Sequence, residues 1–200
     1  MKRIALVLLI FIVVAGAAFS FDPTTFPSPI QPGNILVSPA FHLGGHSFNL
    51  PSGYSYGSAF GLGISAAIDY ALPIPFALSV GGELGIIMAP GSVMTPMGIP
   101  ILARIAWHPN FEVPNLDTYI RFKMGGNIGF ALDSNWKSGG GFAWGINFGA
   151  RYFVSPTIAP FAELGFTQYG FKIKEAGLLR NLSWPSYMFN IFTFGVTIRI

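Results

Sequence analysis

The sequence predicts an all-β chain, an eight-stranded antiparallel up-and-down barrel that crosses a membrane. Three observations predict it. Only 10% of the residues are charged while 52% are hydrophobic, against about 25% charged in soluble domains. Eight segments place greasy residues at every second position, which is the period of a strand. The long uncharged stretch from Leu84 to Ala103 contains Pro90, Pro96 and Pro100, which would break a helix repeatedly. In hydrocarbon every backbone polar group must be bonded within the protein, so only helices and closed barrels cross.

The chain opens with Lys2 and Arg3, an apolar run from Ile4 to Val14, and small residues ending in Ala18-Phe19-Ser20. That is the layout of a secretory signal peptide, with cleavage expected after Ser20 and a second possible site after Ala17. Residues 1–20 therefore read as a signal peptide, 21–33 as a Pro-rich tail and 34–200 as the barrel. The chain has no cysteine, which excludes a disulfide framework and a lipid-carrying cysteine.

The strands follow in order. Ile35 to Gly44 sets Val37, Phe41 and Leu43 against Ser38, Ala40 and His42. Ala59 to Leu72 alternates most cleanly, with Phe60, Leu62, Ile64, Ile68 and Tyr70 on one face and Gly61, Gly63, Ser65 and Asp69 on the other. Phe76 to Met88 opposes Leu78, Val80, Leu84 and Ile86 to Ser79, Gly81 and Glu83. Ile99 to His108 opposes Ile101, Ile105 and Trp107 to Arg104 and His108. Thr118 to Leu132 opposes Ile120, Phe122, Met124 and Ile128 to Arg121, Lys123 and Asn127. Phe142 to Val154 opposes Trp144, Ile146, Phe148 and Tyr152 to Asn147 and Arg151. Ala159 to Tyr169 opposes Leu164 and Phe166 to Glu163 and Thr167, and Tyr187 to Ile200 closes the series.

Size decides which face points outward. The interior of an eight-stranded barrel only just holds its side chains. Phe, Leu, Ile, Trp and Tyr from every strand would overfill it, so the greasy face meets lipid and the small or polar face lines the lumen. Short turns at 72–75 and 154–157 alternate with long connections at 45–57 and 170–186, as in barrels with periplasmic turns and external loops. Tyr70, Phe76, Trp107 and Tyr152 fall at one membrane interface and Trp144 at the other, where amphipathic rings sit at headgroup level.

The lumen-facing charges are Asp69, Glu83 and Glu163 against Arg104, Arg121, Lys123, Arg151 and Arg199. Hairpin counting sets Arg151 opposite Glu163 and Glu83 opposite Arg104. Buried charges must pair, so the group reads first as a structural network and second as a selectivity filter. The other half of the lumen, lined by Gly44, Gly61, Gly63, Gly85, Gly129, Ala143 and Gly145, is expected to be a wet vestibule. Of the histidines, His42, His46 and His108 have no metal-ligand spacing, and His46-Ser47 lacks an acid. No catalytic residue and no cofactor is therefore expected. The net charge of +3 does not argue for nucleic acid. Lys172, Lys174, Glu175 and Arg180 read as a solvated loop or as contacts to anionic headgroups.

At this point the chain resembles the small eight-stranded outer-membrane barrels, the OmpA/OmpX-like "outer membrane protein beta-barrel domain" families. Phe148 to Pro156, Ala159 to Phe166 and the terminal strand Phe192 to Ile200 carry the likeness. Phe192, Phe194, Val196, Ile198 and Ile200 look like the signal read by the barrel-assembly machinery, with Ile200 where the family usually has an aromatic residue. The resemblance implies a barrel in the outer membrane with lipid and the assembly machinery as partners. It implies little about activity. A structural or surface-interaction role ranks first, a narrow pore for small or apolar solutes second and a lipid-modifying enzyme third.

Overall fold

Strand follows strand in the computed structural model, which describes residues 30–48, 59–74, 77–90, 95–109, 113–132, 136–175 and 184–200. They are β1 (Ile35–Phe48), β2 (Ala59–Ala71), β3 (Leu78–Met88), β4 (Pro96–Trp107), β5 (Leu116–Ala131), β6 (Trp136–Tyr152), β7 (Ile158–Glu175) and β8 (Trp184–Arg199). Each is antiparallel to the next, and β1 also pairs with β8, so the sheet closes on itself. At the seam the Ile35 amide donates to the Ile200 carbonyl at 3.1 Å, and the Ile200 amide to the Ile35 carbonyl at 2.9 Å. Closure leaves no unpaired edge. The expected signal peptide, residues 21–29 of the tail, Phe76 and Arg180 lie outside the described residues.

The barrel is inside-out relative to a soluble protein. Phe41, Leu84 and Phe148 are each 57% exposed on the outer wall, while Lys123 and Arg151 are each 1% exposed within. Every second residue points outward, so each strand's greasy positions share the lipid face and its polar positions share the lumen. No helix of the described residues is long and apolar enough to cross a membrane. The crossing elements are strands.

One end of the barrel, the turn end, carries both seam residues and the connections 72–77, 108–115 and 153–157. The opposite end is the loop end. Here the strands run further than their alternation indicates. β6 starts at Trp136 rather than Phe142, β7 continues to Glu175 rather than Tyr169, and β8 begins at Trp184 rather than Tyr187. The expected connection 170–186 shortens to 176–183, and Lys172 to Glu175 belong to a strand. Alternation marks a strand only where its two faces meet different media. β7 has 18 residues, well beyond the about 9–11 that cross a bilayer. The glycines of 139–141 look like a loop although Gly139 and Gly140 are laddered to Lys172 and Phe171.

The ladder shifts between Leu43 and Gly44 on the β8 side. A side chain at Gly44 would run into the Phe189 backbone, so glycine permits the close approach there.

Candidate functional site: the lumen

Each lumen charge is set by strand parity, and its partner by register. Four anions (Asp69, Glu83, Asp117 and Glu163) and four cations (Arg104, Arg121, Lys123 and Arg151) are buried inside. The charges balance, as burial requires. Arg104 lies at the centre. Its Nη1 donates to Glu83 Oε2 at 3.1 Å and its Nη2 to Asp69 Oδ2 at 3.0 Å. Lys123 Nζ donates to the same Glu83 oxygen at 3.4 Å. Arg121 Nη1 donates to Glu163 Oε1, which also accepts the Tyr119 hydroxyl at 2.9 Å. The Arg121 and Arg151 guanidiniums lie over the Tyr119 ring, 4.5 and 4.4 Å from its centroid, a cation–π arrangement.

Two expected pairings change. Glu83 and Arg104 meet, but diagonally: the ladder sets Glu83 opposite Leu102 and Arg104 opposite Gly81, a separation that long side chains span. Arg151 and Glu163 do not meet. The β6–β7 turn centres on residue 156 rather than 157, so Glu163 stands opposite Gly149 and Arg151 opposite Phe161. Glu163 turns to Arg121, and Arg151 Nε reaches Asp117 Oδ2 at 2.9 Å, directly across from it on β5. Arg199 sits at the rim, partly exposed, with its guanidinium donating to the Pro156 carbonyl and lying over Phe153. It caps the turn end rather than joining the central charges.

Above the charges lies a polar ring. His42 Nδ1 is 2.9 Å from Thr193 Oγ1 and Nε2 is 2.7 Å from Ser65 Oγ. A cavity of about 10 Å³ is lined by His42, Ser65, Glu83, Arg121, Glu163 and Thr193, among others. That volume is at the lower limit for one water molecule.

The expected vestibule is filled. Ile87, Leu102, Ala143, Tyr169, Phe171 and Met188 form a buried apolar cluster toward the loop end. A methyl group added at Gly61 would lie 2.8 Å from Met188 Cε, and one at Gly63 would lie 2.9 Å from Ile87 Cγ2. The small residues make room for large ones from facing strands, not for water. The Tyr169 hydroxyl accepts from Asn190 Nδ2 at 3.0 Å, which satisfies its polar end.

At the turn-end rim the structure assembles a group that the sequence does not advertise. Ser79 Oγ is 2.9 Å from His108 Nε2, and His108 Nδ1 is 2.9 Å from Asp117 Oδ1. Alternation places Ser79 and His108 in the lumen, but Asp117 falls in what reads as a turn. β5 begins at Leu116 and brings it inside. His46 packs edge-on against Phe171, ring centroids 5.9 Å apart. Among the described residues no group of three or more His, Asp or Glu side chains is placed to hold a metal ion.

On the outer wall Tyr70 and Trp107 are exposed near the turn end, with Tyr152 at the last residue of β6. Trp144 stands midway along β6 and packs against Phe166, which packs against Phe189, at centroid distances of 5.6 and 5.1 Å. Phe192, Phe194, Val196 and Ile198 fall on the outward face of β8, with Ile200 exposed just beyond it, and Phe194 stacks on Phe41 at 5.6 Å.

No protein-family model and no curated protein matches this sequence. Solved structures do match. The barrel is similar to Neisserial surface protein A, with a TM-score of 0.57 at 16% identity over 84% of this chain and 97% of that one. It is similar to the outer membrane protein AlkL, solved in lipid bilayers, with a TM-score of 0.55 at 12% identity over 87% and 93%. OprG from Pseudomonas aeruginosa, also an outer membrane protein, gives a TM-score of 0.51 at 11% identity over 85% and 97%. The chain therefore has the fold of the small eight-stranded outer-membrane barrels.

Proposed function

We propose that the protein is exported by a cleaved signal peptide, inserts in the outer membrane and serves there as a closed barrel with a structural or surface-interaction role. The observation that carries this reading is the filled lumen. Eight mutually paired charges occupy the turn-end half and a packed apolar cluster the other. A narrow pore requires a continuous polar path, and Ile87, Tyr169, Phe171 and Met188 stand across it. The outer wall supports the location. From Tyr152 to Trp144 is roughly 20 Å along the barrel axis, at about 3.3 Å per residue and a tilt near 40°. That is close to the spacing of two aromatic girdles. In this reading acyl chains cover Leu62, Ile64, Val80, Ile105 and Phe148, and the assembly machinery reads Phe192 to Ile200.

Refolded protein in a planar bilayer tests the closed lumen: wild type passes little current. A steady, ion-selective conductance would instead favour the pore. The export step is tested by mass spectrometry of the membrane-extracted protein, which should begin at Phe21; an intact Met1 overturns the signal-peptide assignment.

A further inference from the structure

We infer that Ser79, His108 and Asp117 form a hydrolytic centre at the turn-end rim, acting on a small acyl ester that reaches it from the aqueous side. The three residues come from the start of β3, the residue just after β4 and the start of β5, and their atoms are ordered as a nucleophile, base and orienting acid need. Nε2 faces the hydroxyl and Nδ1 faces the carboxylate, each at 2.9 Å. This arrangement fixes the imidazole with its proton on Nδ1 and leaves Nε2 to accept from the serine. Arg151 Nε lies 2.9 Å from Asp117 Oδ2 and holds the acid from its other side.

Two further observations bear on this rim. Ala77 (φ 46°) and Asn115 (φ 62°) are the non-glycine residues with left-handed backbone among those described. Each stands two positions before a member of the group, and strain of this kind collects at functional sites. The Ala77 carbonyl also accepts the His108 amide at 2.9 Å, which ties the base to the nucleophile's strand. In addition, the buried Asn115 side-chain amide has no hydrogen-bond partner among the described residues, nor does Arg151 Nη2. Unpaired buried donors at a rim are suited to a developing oxyanion.

Substrate size follows from burial. Ser79 is 1% exposed, while Ala77, two residues earlier and just ahead of β3, is exposed. The hydroxyl therefore lies about 7 Å from the rim at about 3.3 Å per residue, in reach of a short acyl group and not of a bulky one. Ser79 Oγ attacks the ester carbonyl carbon and its proton passes to His108 Nε2. Collapse of the oxyanion breaks the ester bond, and the leaving alkoxide takes that proton. Water then attacks the acyl-serine, Nε2 receives its proton and returns it to Ser79 Oγ, and the carboxylic acid departs.

The test is labelling of the refolded full chain with a short-alkyl fluorophosphonate, the modified residue located by peptide mass and folding checked by heat-modifiable gel mobility. Wild type should be labelled at Ser79. His108→Gln should slow labelling at least about 10²-fold, the usual contribution of a positioned base. p-Nitrophenyl acetate should be turned over by wild type and not by Ser79→Ala. Folded wild type that takes no label at Ser79 would overturn the inference, whatever the variants do. So would labelling at Ser79 that a folded His108→Gln leaves undiminished.

Discussion

Toward the turn end the barrel interior is held by Asp69, Glu83, Asp117, Glu163 and their four cationic partners; toward the loop end it is held by Ile87, Leu102, Tyr169, Phe171 and Met188. In the proposed reading both halves are closed, and they should fail differently. A buried ion pair broken on one side leaves an uncompensated charge, so each loss is abrupt and is repaired by removing the partner. An apolar cluster loses contacts in proportion to the volume removed, and no partner deletion restores it.

The largest effect is expected among the charges. Glu163→Gln should lose about 3–5 kcal/mol of folding stability, read by urea unfolding in lipid bilayers, because Arg121 keeps only the longer contact to Asp69 Oδ2 at 3.6 Å. Adding Arg121→Met should recover part of it. Adding Arg151→Met should not, since Arg151 pairs with Asp117; equal rescue by both would mean the β6–β7 register is wrong. In the apolar half, Met188→Ala should cost about 2–5 kcal/mol by opening a cavity beside Gly61. Gly61→Ala in that background should refill the space and restore stability. If Gly61→Ala is as harmful there as in wild type, the two residues do not share that space.

That register could not be read from the sequence, and the reason is specific. Parity was legible: Asp69, Glu83, Arg104, Arg121, Lys123, Arg151 and Glu163 all point inward as alternation indicates. Parity survives a shift of two residues, and pairing does not. Moving the β6–β7 turn centre from 157 to 156 keeps every side chain on its face yet exchanges Glu163's partner. Strand ends were hidden for another reason, since β6 reaches back through Gly139 to Gly141, a run that reads as a turn, to Trp136, and β7 runs on to Glu175 beside it. The filling of the upper lumen was hidden because small residues on β1, β2, β3, β5 and β6 suggest space, while the large residues that occupy it come from β3, β4, β7 and β8. The Ser79–His108–Asp117 group joins β3, the connection after β4 and β5, and only the start of β5 at Leu116 reveals its acid.

Smaller effects sharpen the contrast between wall and interior. Leu84→Arg on the lipid face should cost about 2–4 kcal/mol if its position is near the bilayer midplane. The same change at Ile200, beyond the last residue of β8, should cost at most about 1 kcal/mol. Equal penalties would place Leu84 away from the midplane. Tyr169→Phe removes only the acceptor for Asn190 and should cost about 0.5–1.5 kcal/mol. A much larger loss would mean that the hydroxyl, not the ring, holds the upper cluster together.

The central claim is that the lumen is closed twice, by two chemistries in series. Single-channel recording of truncations in each half tests it most directly. Arg121→Ala with Glu163→Ala opens only the charged half, and Tyr169→Ala with Met188→Ala only the apolar half. The prediction is that wild type and both double variants stay silent, while the quadruple variant conducts. A wild type that conducts steadily, or a current that appears when the apolar half alone is opened, would contradict it.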